Sequence, residues 1–269
     1  MSDEMQERTR ILIGDAGLER LARAHVLIAG TGGVGGAAAE AIARAGVGKV
    51  TLLDHDTVAL GNLNRQLVAL RSTLGRYKAE AMAERMRDIQ PTLQVQARVE
   101  FLRADQADAL IAGGGFDFVL DCIDSIACKA ALVHACQTHA VPVYSSLGAG
   151  GRLDVSKVGV SSLNQTHTCA LARELRRALR ERGASLNSPV VYSWETPIKA
   201  LPHQPVGGDT EGAAVPGRAR AVNGTISYMP NLFGMMLAGA ALKAFLDQAV
   251  GAQVGGTWMS GTQINHASD

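Results

Sequence analysis

A glycine-rich turn, Gly30-Thr31-Gly32-Gly33-Val34-Gly35, is the first candidate for chemistry in this sequence. A short β-branched and apolar run precedes it and an alanine-rich helical pattern follows it. Glycines in such a turn let the backbone approach a phosphate, and the helix that follows supplies N–H donors and a partial positive charge. We therefore expect Gly30, Gly32, Gly33 and Gly35 to bind a nucleotide phosphate, although the same pattern can be chain geometry alone.

Two carboxylates follow the next apolar run, which spans Lys49 to Leu53. Asp54 comes nineteen positions after Gly35, which is where an acidic side chain accepts hydrogen bonds from ribose hydroxyls. Asp56 is a second candidate, although a strand-terminal turn explains it more easily. Up to this point a nicotinamide oxidoreductase fits as well as an ATP-binding protein.

Cationic and amide side chains in the next segment favour ATP over a dinucleotide. They are Asn62, Arg65 and Gln66, followed by Lys78. A triphosphate carries about four negative charges, and attack at its α-phosphorus adds charge that fixed cations stabilise. Arg65 and Lys78 suit that role, although either residue alone would more often be a solvated surface side chain.

Together with Asp121-Cys122-Ile123-Asp124-Ser125, these motifs resemble the ubiquitin-activating-enzyme superfamily, in the same order and over about Arg8 to Leu246. The resemblance implies ATP as the cofactor. It also implies Asp54 on the ribose, Asn62, Arg65 and Gln66 around the phosphates, Lys78 on the triphosphate, and Asp124 as the Mg²⁺ ligand.

A carboxylate that follows a parallel strand is well placed to hold hydrated Mg²⁺, which supports this role for Asp124. Capping of the following helix is the alternative role for Asp124. Arg8 matches more weakly an arginine that, in this superfamily, reaches the nucleotide of the partner subunit in a homodimer. Whether a monovalent cation lies by the Gly148 to Gly151 segment is left open.

The second half of the chain is similar to the tRNA threonylcarbamoyladenosine dehydratases. The similarity rests on Ser145 to Asp154, Thr166-His167-Thr168, Pro189 to Ser193, and Asn223 to Ile226. It implies ATP-dependent adenylation of the carboxylate of threonylcarbamoyladenosine, beside the tRNA anticodon, and intramolecular ring closure with net loss of water.

Two further functions stay open at the level of sequence. One is adenylation of the C-terminal glycine of a sulfur-carrier protein. The other is a nucleotide-binding scaffold that recruits a sulfur-transfer partner, such as a cysteine desulfurase, without turnover of its own. The four cysteines include no pair at the spacing of structural zinc sites, so we expect no zinc.

A basic stripe is predicted on one helix of the second half. Arg173, Arg176, Arg177 and Arg180 recur at helical intervals, which places them on one face. We expect this face to contact tRNA phosphates, although a basic helix face is more often only solvated. The formal net charge of +1 says nothing about RNA, because any contact would need a local patch.

The elements that must position these residues alternate between strand and helix patterns, including a helix over about Leu74 to Ile89 and a strand over Gln94 to Phe101. Alternation of this kind predicts an α/β fold of the Rossmann-like doubly wound class, with a mostly parallel sheet and an antiparallel extension in the second half. We expect a single adenylation domain over 1–250, with a long functional loop over about 201–223 and a disordered tail over 251–269.

The apolar segment Ile226 to Val250 is about as long as a membrane span. Pro230, Lys243 and Asp247 interrupt it, which favours a buried core helix and makes membrane association the weaker interpretation. The N-terminal residues show no export signal, so we expect a cytoplasmic protein with reduced cysteines.

Overall fold

The computed structural model describes residues 2–199 and 224–251, which fold around a seven-stranded sheet. The strands are β1 His25–Ala29, β2 Lys49–Leu53, β3 Gln94–Arg98, β4 Phe118–Asp121, β5 Val143–Ser146, β6 Val158–Ser162 and β7 Pro189–Ser193. Their order is β3-β2-β1-β4-β5-β7-β6. Every neighbouring pair is parallel except β6 and β7, which are antiparallel. This confirms the predicted class, including the antiparallel extension.

Helices cover both faces of the sheet. They are α1 Ser2–Arg23, α2 Gly33–Arg44, α3 Lys78–Ile89, α4 Ala107–Gly114, α5 Ile126–Thr138, α6 Ala170–Arg180 and α7 Tyr228–Gly251. Buried apolar side chains of α2, α3 and α7 form one core, and those of α4, α5 and α6 form the other. The central strands β1, β2 and β4 are buried and mostly apolar because both of their faces are covered, whereas the edge strands β3 and β6 are partly exposed.

Helix α7 contains the apolar segment that raised the question of a membrane span. Among the described residues it is the one helix long and apolar enough to cross a membrane. Its Met229, Phe233, Leu237 and Ala241 are nevertheless buried, and α7 packs along α2. The prediction of a core helix is therefore confirmed for the face that meets α2.

Several element boundaries differ from the predicted ones. Helix α3 begins at Lys78 rather than Leu74, because Gly75 has a positive φ of 79°, which a helix does not accept. Strand β3 ends at Arg98 rather than Phe101. Helix α1 was not predicted. The predicted loop and tail lie outside the described residues, except for the last residue of α7.

Candidate functional site

A cavity of about 410 Å³ opens at the carboxyl edge of the parallel strands. Ligands of open α/β sheets bind at this edge. Ten of the predicted site residues line the cavity: Gly30, Gly32, Gly33, Asp54, Asp56, Asn62, Arg65, Gln66, Lys78 and Asp124. Side chains that are far apart in the sequence are thus brought to one place.

The glycine turn is built for a close backbone approach. Gly30 has a φ of 89°, and a Cβ at Gly35 would lie 1.7 Å from the carbonyl oxygen of Gly30. Gly35 is therefore required by the turn itself and is not among the lining residues. Helix α2 starts at Gly33 with no side-chain cap and no acidic residue in its first turn, so its N–H groups favour an anion.

Asp54 holds the glycine turn in place. One carboxylate oxygen accepts hydrogen bonds from the backbone N–H of Thr31 at 2.7 Å and from its hydroxyl at 2.9 Å. The other oxygen accepts from the backbone N–H of Asp56 at 2.9 Å. Asp54 is thus a structural anchor of the turn as well as the residue expected on the ribose, and a carboxylate has lone pairs for both tasks.

Lys78 is a buried cation at the start of α3. Its side chain is 7% exposed, and its Nζ lies 2.8 Å from a carboxylate oxygen of Asp56. The backbone N–H of Lys78 also donates to the carbonyl of Asp56 at 2.9 Å. The structure therefore gives Asp56 a clear role, which is to hold the lysine at the wall of the cavity.

Arg65, Asn62 and Gln66 come from one short irregular segment. The Arg65 guanidinium donates to the Gly61 carbonyl and to the side chain of Asn64. Asn62 accepts from the backbone of Ala59. Gln66 is 8% exposed, and its side-chain oxygen is buried without a hydrogen-bond partner. Such an orphaned oxygen is costly unless a ligand satisfies it.

Asp124 follows β4, as predicted, and is exposed at the cavity. A carboxylate oxygen is the type of ligand that Mg²⁺ prefers, so Asp124 fits the metal expected there. Asp54, His55 and Asp56 line the same cavity and place their ligand atoms within 4.8 Å of one another.

Lys129 was missed by the sequence analysis. Its side chain and that of Asp121 are both 0% exposed and form an ion pair of 2.7 Å. Lys129 also donates to the carbonyl of Ser146, and Ser145 donates to Asp121. The pair therefore ties the end of β4 to the end of β5 beneath the cavity. The local sequence around Lys129 does not distinguish it from an exposed lysine, so its burial could be found only from the three-dimensional structure.

An apolar side of the cavity was also missed. It contains Leu53, Phe101, Leu102 and Ile123. The ring of His55 meets that of Phe101 edge-on, with centroids 4.9 Å apart. These side chains offer a flat apolar surface that suits a base. Their signal in the sequence was weak, because Phe101 was assigned to the end of a strand.

Cys122 lines the cavity as well, in surroundings that disfavour its thiolate. Burial, together with the charge of Asp121, raises the pKa of its thiol far above the usual value. A protonated thiol reacts poorly.

The remaining predicted residues lie away from the cavity. Arg8 is exposed on α1 and does not line the cavity of its own chain. Arg173, Arg177 and Arg180 are exposed on α6. Arg176 is only half-buried on the same helix, and its guanidinium donates to the Thr166 carbonyl at 2.9 Å, so three arginines rather than four face solvent fully.

Comparisons with known proteins identify a family and several relatives of this chain. The ThiF family profile matches residues 6–262. The tRNA threonylcarbamoyladenosine dehydratase of Bacillus subtilis (strain 168) is 35% identical over 234 residues, covering 86% of this chain and 91% of that protein. The protein of the same name from Escherichia coli (strain K12) is 41% identical over 183 residues, covering 67% and 68%.

The fold also matches a solved structure. The crystal structure of E. coli tRNA N6-threonylcarbamoyladenosine dehydratase in complex with ATP superposes with a TM-score of 0.80 at 33% identity, covering 92% of this chain and 96% of that one. The family profile, the related sequences and the solved structure all indicate the same family. The chain belongs to the ThiF family and, within it, to the tRNA threonylcarbamoyladenosine dehydratases.

Proposed function

We propose that this protein uses ATP to cyclise threonylcarbamoyladenosine in tRNA with loss of water. The substrate carboxylate attacks the α-phosphorus of ATP and pyrophosphate leaves. A nitrogen of the same modification then attacks the acyl carbon of the adenylate, and AMP leaves with the carboxylate oxygen. The observation that carries this proposal is the convergence of Arg65, Gln66, Lys78 and Asp124 on one cavity beside the glycine turn.

The cations of the cavity serve the first step. Arg65 and Lys78 would stabilise the negative charge that develops at the α-phosphorus, because fixed donors in a water-poor site need no reorganisation. Asp124 would hold Mg²⁺, which neutralises phosphate charge when bound. The second step joins two groups of one molecule and gains from their proximity. It needs no protein nucleophile, which is consistent with the high thiol pKa of Cys122.

Assembly and location form part of the same proposal. We place the protein in the cytoplasm as a homodimer in which Arg8 reaches the nucleotide of the partner. The exposed α1 side chains Ile11 and Leu12, at 79% and 85%, support a contact at this helix. A sulfur-transfer partner has less support, because Cys128, Cys136 and Cys169 are buried and Cys122 holds its proton.

A direct assay tests the function. The protein is incubated with ATP, Mg²⁺ and threonylcarbamoylated tRNA, and the digested nucleosides are analysed by mass spectrometry. We expect AMP and the cyclised nucleoside, in equal amounts. Arg65→Ala should lower kcat by about 10²- to 10³-fold, the typical loss of one transition-state donor.

The matched control is Arg71→Ala, which removes an exposed arginine outside the cavity and should leave the rate unchanged. Unchanged tRNA in the presence of the wild-type protein would reject the proposal. Pyrophosphate exchange that depends on a carrier protein ending in two glycines would instead support sulfur-carrier adenylation.

A further inference from the structure

We propose that three aromatic side chains, His167, Tyr192 and Trp194, form a stacking site for an unpaired tRNA base next to the adenosine that is modified. We call these three residues the aromatic row. The inference rests on the proposed function, because it assigns to the same substrate a second contact outside the nucleotide cavity.

The rings follow one another across the end of strand β7. The His167 ring meets that of Tyr192 edge-on, with centroids 5.9 Å apart. The Tyr192 and Trp194 rings are also 5.9 Å apart and are tilted by 55°. Tyr192 is buried, whereas His167 and Trp194 are exposed, Trp194 at 37%. The central ring, Tyr192, is therefore buried, and the two outer rings are accessible to solvent.

Strand β6 makes room for the tryptophan. Gly159 pairs with Tyr192 across the two strands, and a Cβ at Gly159 would lie 2.9 Å from the indole of Trp194. The six-membered ring of the indole thus lies close to the backbone of β6, where a side chain at this position would displace it. A large ring that is held this way loses little conformational entropy when a base stacks on it.

The aromatic row is joined to the nucleotide cavity through Arg152. Gly150 lines the cavity, and Arg152 follows two residues later with only 3% exposure. The Arg152 guanidinium donates to the carbonyl of Thr168, beside His167, and to the carbonyl of Glu195, beside Trp194. One buried side chain therefore holds both ends of the row at a fixed place relative to the cavity.

Helix α6 follows His167 of the row in the chain, because it begins at Ala170, three residues later. Its Arg173 and Arg177 are 73% and 72% exposed, and both pair with Glu174, at 3.5 Å and 3.2 Å, which offsets part of their charge. The proposal therefore rests on the rings, to which the arginines of α6 would add contacts with phosphates. Stacking on exposed aromatic rings is how proteins read the bases of single-stranded RNA loops.

Tryptophan removal tests the stacking. Trp194→Leu should raise the KM for threonylcarbamoylated tRNA by about tenfold or more, as expected for the loss of one stacked base. The value of kcat and the affinity for ATP should stay unchanged, and Trp194→Phe should restore most of the tRNA affinity. Val160→Ala is the control, because Val160 lies on the neighbouring strand β6 and is exposed on the opposite face of the sheet.

The substrate supplies a test that does not depend on how the variant folds. Oligonucleotides are prepared in which one base beside the modified adenosine is replaced by an abasic site. One such oligonucleotide should bind the wild-type protein about tenfold more weakly, and on it Trp194→Leu should cause no further loss.

The outcomes separate the two proposals. If the wild-type protein cyclises the tRNA but neither Trp194→Leu nor the abasic sites change its KM, the aromatic row does not stack a base and the proposed function stands. If the wild-type protein leaves the tRNA unchanged, the proposed function fails and this inference fails with it.

Discussion

Gln66 shows how a single side chain connects stability to ligand binding. Its buried oxygen has no partner, so the folded protein bears a desolvation cost that a hydrogen-bond donor of the bound nucleotide, such as a ribose hydroxyl, would relieve. We predict that Gln66→Leu raises the free energy of unfolding by about 1 kcal/mol and weakens ATP binding by about tenfold. Thermal unfolding with and without ATP measures both effects.

Gln90 provides the matched control for this prediction. Its side-chain oxygen is also buried without a partner, but it lies at the end of α3 and does not line the cavity. Gln90→Leu should leave ATP binding unchanged. Equal losses of ATP affinity in the two variants would show that the cavity is not the nucleotide site.

Much of the candidate site could be predicted because its residues follow strand ends or stand in short motifs. The glycine turn, Asp54 and Asp124 are examples, since their placement follows from the order of strands and helices. Lys129, Phe101 and Trp194 could not be found this way. Their roles depend on which residues become their neighbours in the fold, and the local spacing of residues in the sequence does not predict those neighbours. The burial of Arg176 was unpredictable for the same reason. Its guanidinium donates to the carbonyl of Thr166, which lies in the turn before helix α6.

At the level of elements, the contact between α2 and α7 positions the start of the phosphate-binding helix. A Cβ at Gly234 would lie 2.2 Å from the carbonyl oxygen of Val34, in the first turn of α2. We predict that Gly234→Ala lowers the free energy of unfolding by about 1–3 kcal/mol and also weakens ATP binding, because the turn must shift. Urea unfolding and ATP titration provide the measurements.

The same helix supplies a control of opposite sign. Gly239 has nothing within 4 Å of the position of its Cβ, so Gly239→Ala should stabilise α7 by about 0.5–1 kcal/mol without altering ATP affinity. If both variants stabilised the protein, close packing of the two helices would not be what positions the turn.

Strand and helix order was predictable because both faces of the central sheet are covered, which gives β1, β2 and β4 mostly apolar runs. The ends were less predictable, since they depend on single backbone conformations such as that of Gly75. Helix α1 escaped prediction because charged residues outnumber apolar ones in its sequence, and Ile11 and Leu12 remain exposed. It is held in part by a hydrogen bond from Gln6 to the Arg44 carbonyl and by the burial of Leu21 in the core.

For the molecule as a whole, His25 makes stability depend on pH. Burial, followed by the charge of Lys49, lowers the pKa of its imidazole below 6.5. Below about pH 6.5 the unfolded chain therefore binds a proton that the folded protein excludes. We predict that the free energy of unfolding falls as the pH decreases through 6.5 and levels off below the folded pKa.

Urea unfolding between about pH 7.5 and pH 5.5 checks this prediction. His25→Asn should show a smaller loss of stability over that range, even though it also loses the bond of the ring to Thr51. Parallel curves for the two proteins would mean that another group causes the dependence. Because His25 lies at the edge of the sheet opposite the cavity, ATP affinity should not follow the same curve.

The packing of α7 against the glycine turn has a consequence for biosynthesis. Pro230 lies against Gly33, and Thr225 and Pro230 complete the cavity wall. A nascent chain that has emerged from the ribosome only as far as β7 has the phosphate turn but lacks the helix that supports it. The wall of the nucleotide cavity is therefore complete only after α7 has been synthesised and packed.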